Sequence, residues 1–237
     1  MEDIEAVALL QDPVRRRLYE FVVGRGREVG RNEAAEAAGV GRTLAAFHLD
    51  KLVDGGLLEA GSRRLSGRSG PGAGRPAKVY RRSAGERAVS LPARDYRTVA
   101  GVLAEAAERA GLDEEVREAA RREGVALAAG APCGDLDGLA AVLEERGYEP
   151  VREDTEHADD AEHAQDAERV GGGGGAVLRM RNCPFHAVAE RFPPLVCGMN
   201  LALLEGLVEG ADGVRVRMDP RPGWCCVVAE PSKNNED

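Results

Sequence analysis

Cys183, Cys197, Cys225 and Cys226 stand late in a chain that has five cysteines and four histidines. The first two lie in NCPFHAVAERFPPLVCGMN, with His186 between them, and the other two form the doublet of PRPGWCC. Thiols and an imidazole in this arrangement can fill a core, form disulfides, act as nucleophile and base, or ligate a metal. Cys183 precedes Pro184 and Cys197 follows Pro193-Pro194, so each is expected in the first turn of a helix. There, unpaired N–H groups and the helix dipole favour anionic sulfur. Cys225 and Cys226 follow a Pro-Gly turn and, as neighbours in a strand, are expected to point to opposite faces, so that one of them joins the other thiols. Cys183, Cys197 and Cys225 are therefore read as ligands, with Cys226 or His186 for a fourth position. Three thiolates and an open position suit an iron–sulfur cluster, and three cysteines with a histidine are an ordinary zinc set. The spacing matches neither C-x2-C knuckles nor ferredoxin runs, which leaves metal ligation and inert burial both open.

A catalytic reading makes Cys183 a nucleophile and His186 its base, three residues away at a helix start. No third group completes it, and the GGGGG run lacks the lysine that follows in a phosphate-binding loop, so an enzyme is not expected. Cys133, in GAPCGD, belongs to no constellation and is read as a loop or core thiol.

At 237 residues the chain is long enough for two modest domains. It has no apolar run long enough to span a membrane. Its start, MEDIEAVALLQDPVRRR, has acids where a signal peptide needs basic residues, so a cytoplasmic protein is expected. In that reducing compartment an odd number of cysteines argues against a disulfide framework. The net charge of -9 hides a polarity. Residues 60–90 hold eight Arg or Lys against Glu86, whereas residues 149–168 hold nine acids against Arg152. An anionic partner is thus expected for the N-terminal half alone.

The elements that would meet such a partner follow from pattern. QDPVRRRLYEFVVGRG reads as a helix capped by Asp12, with Pro13 at its first position and Val14, Leu18, Phe21 and Val22 on one face. A short Ala-rich helix from about Arg31, a break at Gly39-Val40-Gly41 and a second helix to Asp54 then read as a helix-turn-helix. Ala45, Leu49, Leu52 and Val53 face inward, with His48 packed beside Leu49 and Leu52, which turns Arg42, Thr43, Ala46 and Lys51 outward. Arg42 and Thr43 are the candidates for base edges, and Lys51 for phosphate. LLEAGSRRL and AKVYRRS read as strands joined by SGRSGPGAGRP, a basic wing carrying Arg68, Arg75 and Lys78.

Residues 1–90 are thus read as a winged helix-turn-helix domain for double-stranded DNA. Residues 91–130 are read as linker helices, contributing either a dimer contact or packing against the following domain. Residues 131–237 are read as an antiparallel α+β sensor domain of about four strands, interrupted by a low-complexity acidic and glycine-rich insertion at 154–175 that is expected to be disordered. The fold class expected for the whole chain is α+β. His157 and His163 in that insertion are not read as a metal site.

GRTLAAFHLDKLVDGGLL, GAGRPAKVYRRS, NCPFHAVAERFPPLVCGMN and PRPGWCC together make the chain resemble winged-helix regulators of the ArsR-like superfamily. In particular, the chain resembles the iron–sulfur repressors of the SUF cluster-assembly operon, a resemblance that covers nearly its whole length. The resemblance implies a homodimeric transcriptional repressor that carries an iron–sulfur cluster, of the 4Fe–4S type, on its C-terminal cysteines and binds operator DNA in a cluster-dependent way. The alternatives are a winged regulator with a small-molecule effector, or one with structural zinc.

Overall fold

The computed structural model describes residues 2–63, 76–129, 133–154 and 176–232. The chain divides into two compact units, Met1–Arg94 and Asp95–Asp237. Arg68 and Arg75, with all but the first residue of the segment 154–175, lie outside the described residues. Both units combine helices with an antiparallel sheet, an α+β architecture.

The first unit begins with α1 (Glu2–Ala8) and a single 3-10 turn. Helix α2 (Pro13–Arg25) starts where Asp12 accepts the N–H groups of Val14 and Arg15, each at 2.9 Å, and ends at Gly26, whose φ of 60° is the left-handed conformation that glycine adopts freely. Strand β1 (Val29–Gly30) leads into α3 (Arg31–Ala37). Gly39, at φ 66°, turns the chain into α4 (Arg42–Asp54). Helix α4 lays Ala45, His48, Leu49 and Leu52 into a core with Leu18 and Val22 of α2 and Ala34 and Ala35 of α3. Strands β2 (Leu58–Arg63) and β3 (Ala77–Arg82) pair antiparallel from Leu58↔Arg82 to Arg63↔Ala77, and β1 adds to the other edge of β3. Tyr80 and Leu58 seal the core from the sheet side.

The second unit starts with α5 (Tyr96–Ala110), capped by Asp95, and α6 (Asp113–Ala128), both expected as linker helices. They pack within this unit: α6 crosses α9 (Pro193–Leu207) along an extensive contact, and α5 leans on α8 (His186–Ala189) and α9. The unit also holds α7 (Leu136–Glu145) and a four-stranded antiparallel sheet of order β4-β5-β7-β6, formed by Pro150–Asp154, Ala176–Met180, Val227–Pro231 and Val214–Met218. Leu139 and Leu143 of α7 meet Met180, Leu204, Leu207 and Val227 in its core.

A side chain expected at the surface by type is buried beneath that sheet. Arg179 of β5 is 1% exposed, donating to Glu153 at 3.2 Å, to the Asp219 carbonyl at 3.1 Å and to the Asp219 carboxylate. A buried guanidinium requires such partners, because an unpaired one costs several kcal/mol, on the order of 3–5.

Candidate functional site

Cys183 lies in the turn that leads to α8, whose helical residues begin only at His186. Cys197 is the fifth residue of α9, one turn further in than expected. Neither thiol therefore occupies the open first turn of a helix, although the Cys183 sulfur does accept the Phe185 N–H. The doublet also differs from expectation. Strand β7 starts at Val227, so Cys225 and Cys226 precede the pleat and do not alternate across it.

As a result both thiols of the doublet join one group. Cys183 and Cys226 each hydrogen-bond the Cys225 sulfur, and Cys226 also bonds Cys197. The hydrogen bond from Cys183 first, then that from Cys226, holds the Cys225 thiol well below its ordinary pKa, against the effect of burial. The Val227 N–H and the Asn200 amide donate to it too. The same bonds to Cys225, reinforced by burial, push Cys183 and Cys226 upward. The hydrogen bonds of the group thus converge on the Cys225 sulfur.

Three elements hold Cys225. Its own N–H donates to the Met180 carbonyl of β5 at 2.9 Å. Asn200, fully buried one turn beyond Cys197 on α9, places Nδ2 3.3 Å from Cys225 Sγ. Tyr148, in the corner between α7 and β4, donates its hydroxyl to Asn200 Oδ1 at 2.6 Å. Burial raises the Tyr148 pKa, which keeps that hydroxyl protonated and a donor.

The four thiols differ in access. Cys225 is 2% exposed, whereas Cys197 and Cys226 line a cavity of about 690 Å³ with Arg117, Arg121 and Glu205 on its walls. Arg121 is paired with Glu205 and, at 3.8 Å, with Glu209. His186 stands apart, exposed and 3.2 Å from Glu190. Cys133 is buried in the core of this unit, where desolvation raises its pKa.

Among the described residues, no group of three or more His, Cys, Asp or Glu side chains converges as a ready ion site. The thiols interact pairwise, Cys183 with Cys225, Cys225 with Cys226 and Cys226 with Cys197. A single Zn²⁺ needs all its sulfurs about 2.3 Å from one point, whereas a cluster takes its sulfurs on separate irons. The donor chemistry suits either, because four soft sulfurs meet and two of them open on a cavity.

In the first unit, Arg42, Thr43 and Lys51 are exposed on α4, and Ala46 is half-buried. Lys78 of β3 is engaged with Asp50 at 2.7 Å, and Tyr80 donates to the same carboxylate at 2.9 Å. Arg42 and Lys78 share a groove of about 630 Å³ with Arg31, Asn32 and Ser62. His48 is buried and stacks edge-on against Phe47.

The chain matches no family model, no curated protein and no solved structure.

Four residues escaped sequence reasoning. Leu44 and Phe47, 45% and 56% exposed, stand on α4 among the exposed Arg42, Thr43 and Lys51. Their apolar type marked them for a core. Asn200 was legible as an amide set in the apolar run PLVCGMNLALL, where a buried polar group requires a partner. Tyr148 carried no such signal.

Proposed function

We propose that the protein is a DNA-binding transcriptional repressor, a winged helix-turn-helix homodimer whose C-terminal thiols carry an iron–sulfur cluster. The observation that carries this reading is the meeting of four of the five cysteines in one contact group, drawn from three separate segments of the chain. Thiols placed only as core filler have no reason to assemble so, and a cytoplasmic setting keeps them reduced. Cys183, Cys197 and Cys225 would hold the cluster, with Cys226 adjacent as fourth ligand. When bound, the cluster supplies a redox- and iron-sensitive cross-link among the three segments. The chain's own residues position it: Met180 and Asn200 fix Cys225, and α6 fixes the helix that carries Cys197.

The DNA-binding half rests on α4. Its outward side offers Arg42 and Thr43 to base edges and Phe47 to thymine methyl groups, while Lys51 and Lys78 suit phosphates. The homodimer rests on α5, where Tyr96, Val99, Val102 and Leu103 are 73, 56, 62 and 64% exposed on a shared stripe. The repressor sign comes from the family resemblance.

The fourth thiol favours one second reading, since four cysteine thiolates are an ordinary structural zinc set. Iron, acid-labile sulfide and zinc per chain, measured on anaerobically purified protein, separate the two. Iron and sulfide in equal amounts support the cluster; zinc without sulfide rejects it. Binding to a selected operator, compared with scrambled DNA at the same salt, tests the other half.

A further inference from the structure

We propose that Tyr148 and Asn200 form a buried relay that aims an amide N–H at the Cys225 sulfur, so that Asn200 is the positioning residue that tunes a group bound there. The proposal rests on the reading of Cys225 as a ligand, and it adds two residues that no ligand pattern contains.

The geometry has a definite polarity. Asn200 is buried and its side chain spans Tyr148 and Cys225, with Oδ1 2.6 Å from the phenol and Nδ2 3.3 Å from the sulfur. An asparagine amide can sit either way round in the same space, and its partners decide which. A thiolate or a metal-bound sulfur only accepts, so it selects the Nδ2 end. The opposite setting would put Oδ1 on the sulfur, lone pair against lone pair, and is acceptable only beside a protonated thiol. The Tyr148 hydroxyl reinforces the first setting by donating to Oδ1, and burial of the phenol keeps that proton in place. Tyr148 is itself fixed: its N–H donates to the Leu143 carbonyl at 3.1 Å, and its ring meets Phe185 edge-on at 6.4 Å. Phe185 lies two residues after Cys183, so the phenol leans on the segment that carries another thiol of the group.

The relay has a chemical consequence. Hydrogen bonds to the sulfurs are among the features that set the reduction potential of an iron–sulfur cluster. An N–H directed at a sulfur stabilises the state with more negative charge, which is the reduced one. Asn200 should therefore raise the potential, while Tyr148 acts through Asn200 by preventing the flip.

The test uses the full-length protein in two states. In reduced, metal-free protein, proton–nitrogen NMR of the Asn200 side-chain amide should show a slowly exchanging proton, lost in Cys225→Ala and exchanging faster in Tyr148→Phe. In anaerobically reconstituted protein, Asn200→Leu should move the potential to more negative values. Asn200→Asp, which replaces the donor by an acceptor, should move it further, and Tyr148→Phe less, in the same direction. Iron and sulfide content, taken for each variant, separates tuning from loss of the site. A fast-exchanging amide in the metal-free protein overturns the relay, and so do unchanged potentials in loaded variants. Should Asn200→Leu or Asn200→Asp fail to fold, Tyr148→Phe and the wild-type amide exchange still decide it. A protected amide in a protein that takes up no iron or sulfide would sink the cluster reading and leave the relay standing.

Discussion

Gly124 of α6 and Gly206 of α9 meet where the two helices cross: a Cβ on Gly124 would stand 3.0 Å from the Gly206 carbonyl carbon and run into the Leu203 carbonyl. A Cβ on Gly206 would run into the Arg121 carbonyl in turn. Both obstacles are backbone, so neither can swing aside. Gly→Ala inside a helix ordinarily stabilises by up to about 1 kcal/mol. Here overpacking, on the order of 1–3 kcal/mol, wins. Gly124→Ala and Gly206→Ala should each lower the melting temperature of the second unit and reduce iron loading. Gly198→Ala, beside Cys197, meets only the flexible end of Arg117 and should do neither. Calorimetry with iron analysis on the three variants checks this.

The thiol group makes a graded prediction. Cys183→Ser, Cys197→Ser and Cys225→Ser should each abolish cluster assembly, and Cys133→Ser should leave it intact, because Cys133 takes no part in the hydrogen bonds that join the other four thiols. Cys226→Ser decides the fourth ligand. Full loss of iron and sulfide makes Cys226 a ligand; loading with an altered spectrum makes it a neighbour. Loading that survives Cys225→Ser would remove the central sulfur from the site.

Much of this was legible in the residues. Asp12-Pro13 marked the start of α2, Gly39 the turn before α4, the Gly147–Pro150 corner the start of β4, and PRPG the hairpin between β6 and β7. The thiols were legible by type. Their grouping was not, because it depends on where a strand starts: placing Cys225 and Cys226 inside β7 sent one of them away, whereas the strand begins one residue later. The relay joins Tyr148 to Asn200 across 52 positions and Asn200 to Cys225 across 25, separations that no local pattern reports. Gly124 and Gly206 read as weak points of helices, since a close crossing leaves no mark in either helix alone.

Arg179 and Asp219 give the second unit an acid limit. The guanidinium holds the Asp219 carboxyl below its ordinary value of 3.8, chiefly by its hydrogen bond. A pKa depressed on folding contributes stability that is complete above the ordinary value and is lost as pH falls through the depressed one. Stability should therefore decline below about pH 3.8 as the Asp219 carboxylate is protonated. Asp219→Asn should cost about 1–3 kcal/mol at neutral pH and flatten that decline. Urea unfolding at stepped pH measures both; an unchanged slope would show that other carboxylates set the limit.

Helix α4 and the neighbouring strand predict separable effects on DNA. Arg42→Ala should relax sequence discrimination by about 1–3 kcal/mol if its contact is bidentate to guanine. Phe47→Ala should weaken binding most at sites rich in thymine. Lys51→Ala should reduce the salt slope by roughly one phosphate contact. Lys78→Ala should reduce it less, because the Lys78 ammonium is already paired with Asp50 and displaces fewer counterions from the DNA phosphates. Titrations of one selected operator at several salt concentrations check all four, and equal slopes for Lys51→Ala and wild type would remove α4 from the phosphate backbone.

The final prediction joins the thiols to DNA through the dimer. Cys197 rides on α9, α9 is locked to α6 at Gly124 and Gly206, and α6 follows directly on α5, which carries the exposed apolar stripe. Tying Cys197 to Cys183 and Cys225 therefore restrains α9, and with it the helices proposed to form the dimer seam. In a winged dimer the seam sets the separation of the two recognition helices, which must lie about one DNA turn apart. The cluster-loaded dimer should bind operator more tightly by about 1–3 kcal/mol, and by linkage operator DNA should strengthen cluster retention by the same factor. Leu103→Glu, which sets a charge in the seam, should yield monomers and erase the difference. Anaerobic titration of one operator with loaded and cluster-free protein, at equal salt and with mass measured in parallel, provides the check. Equal affinities would leave the cluster a structural staple, and tighter binding by the cluster-free dimer would reverse the switch.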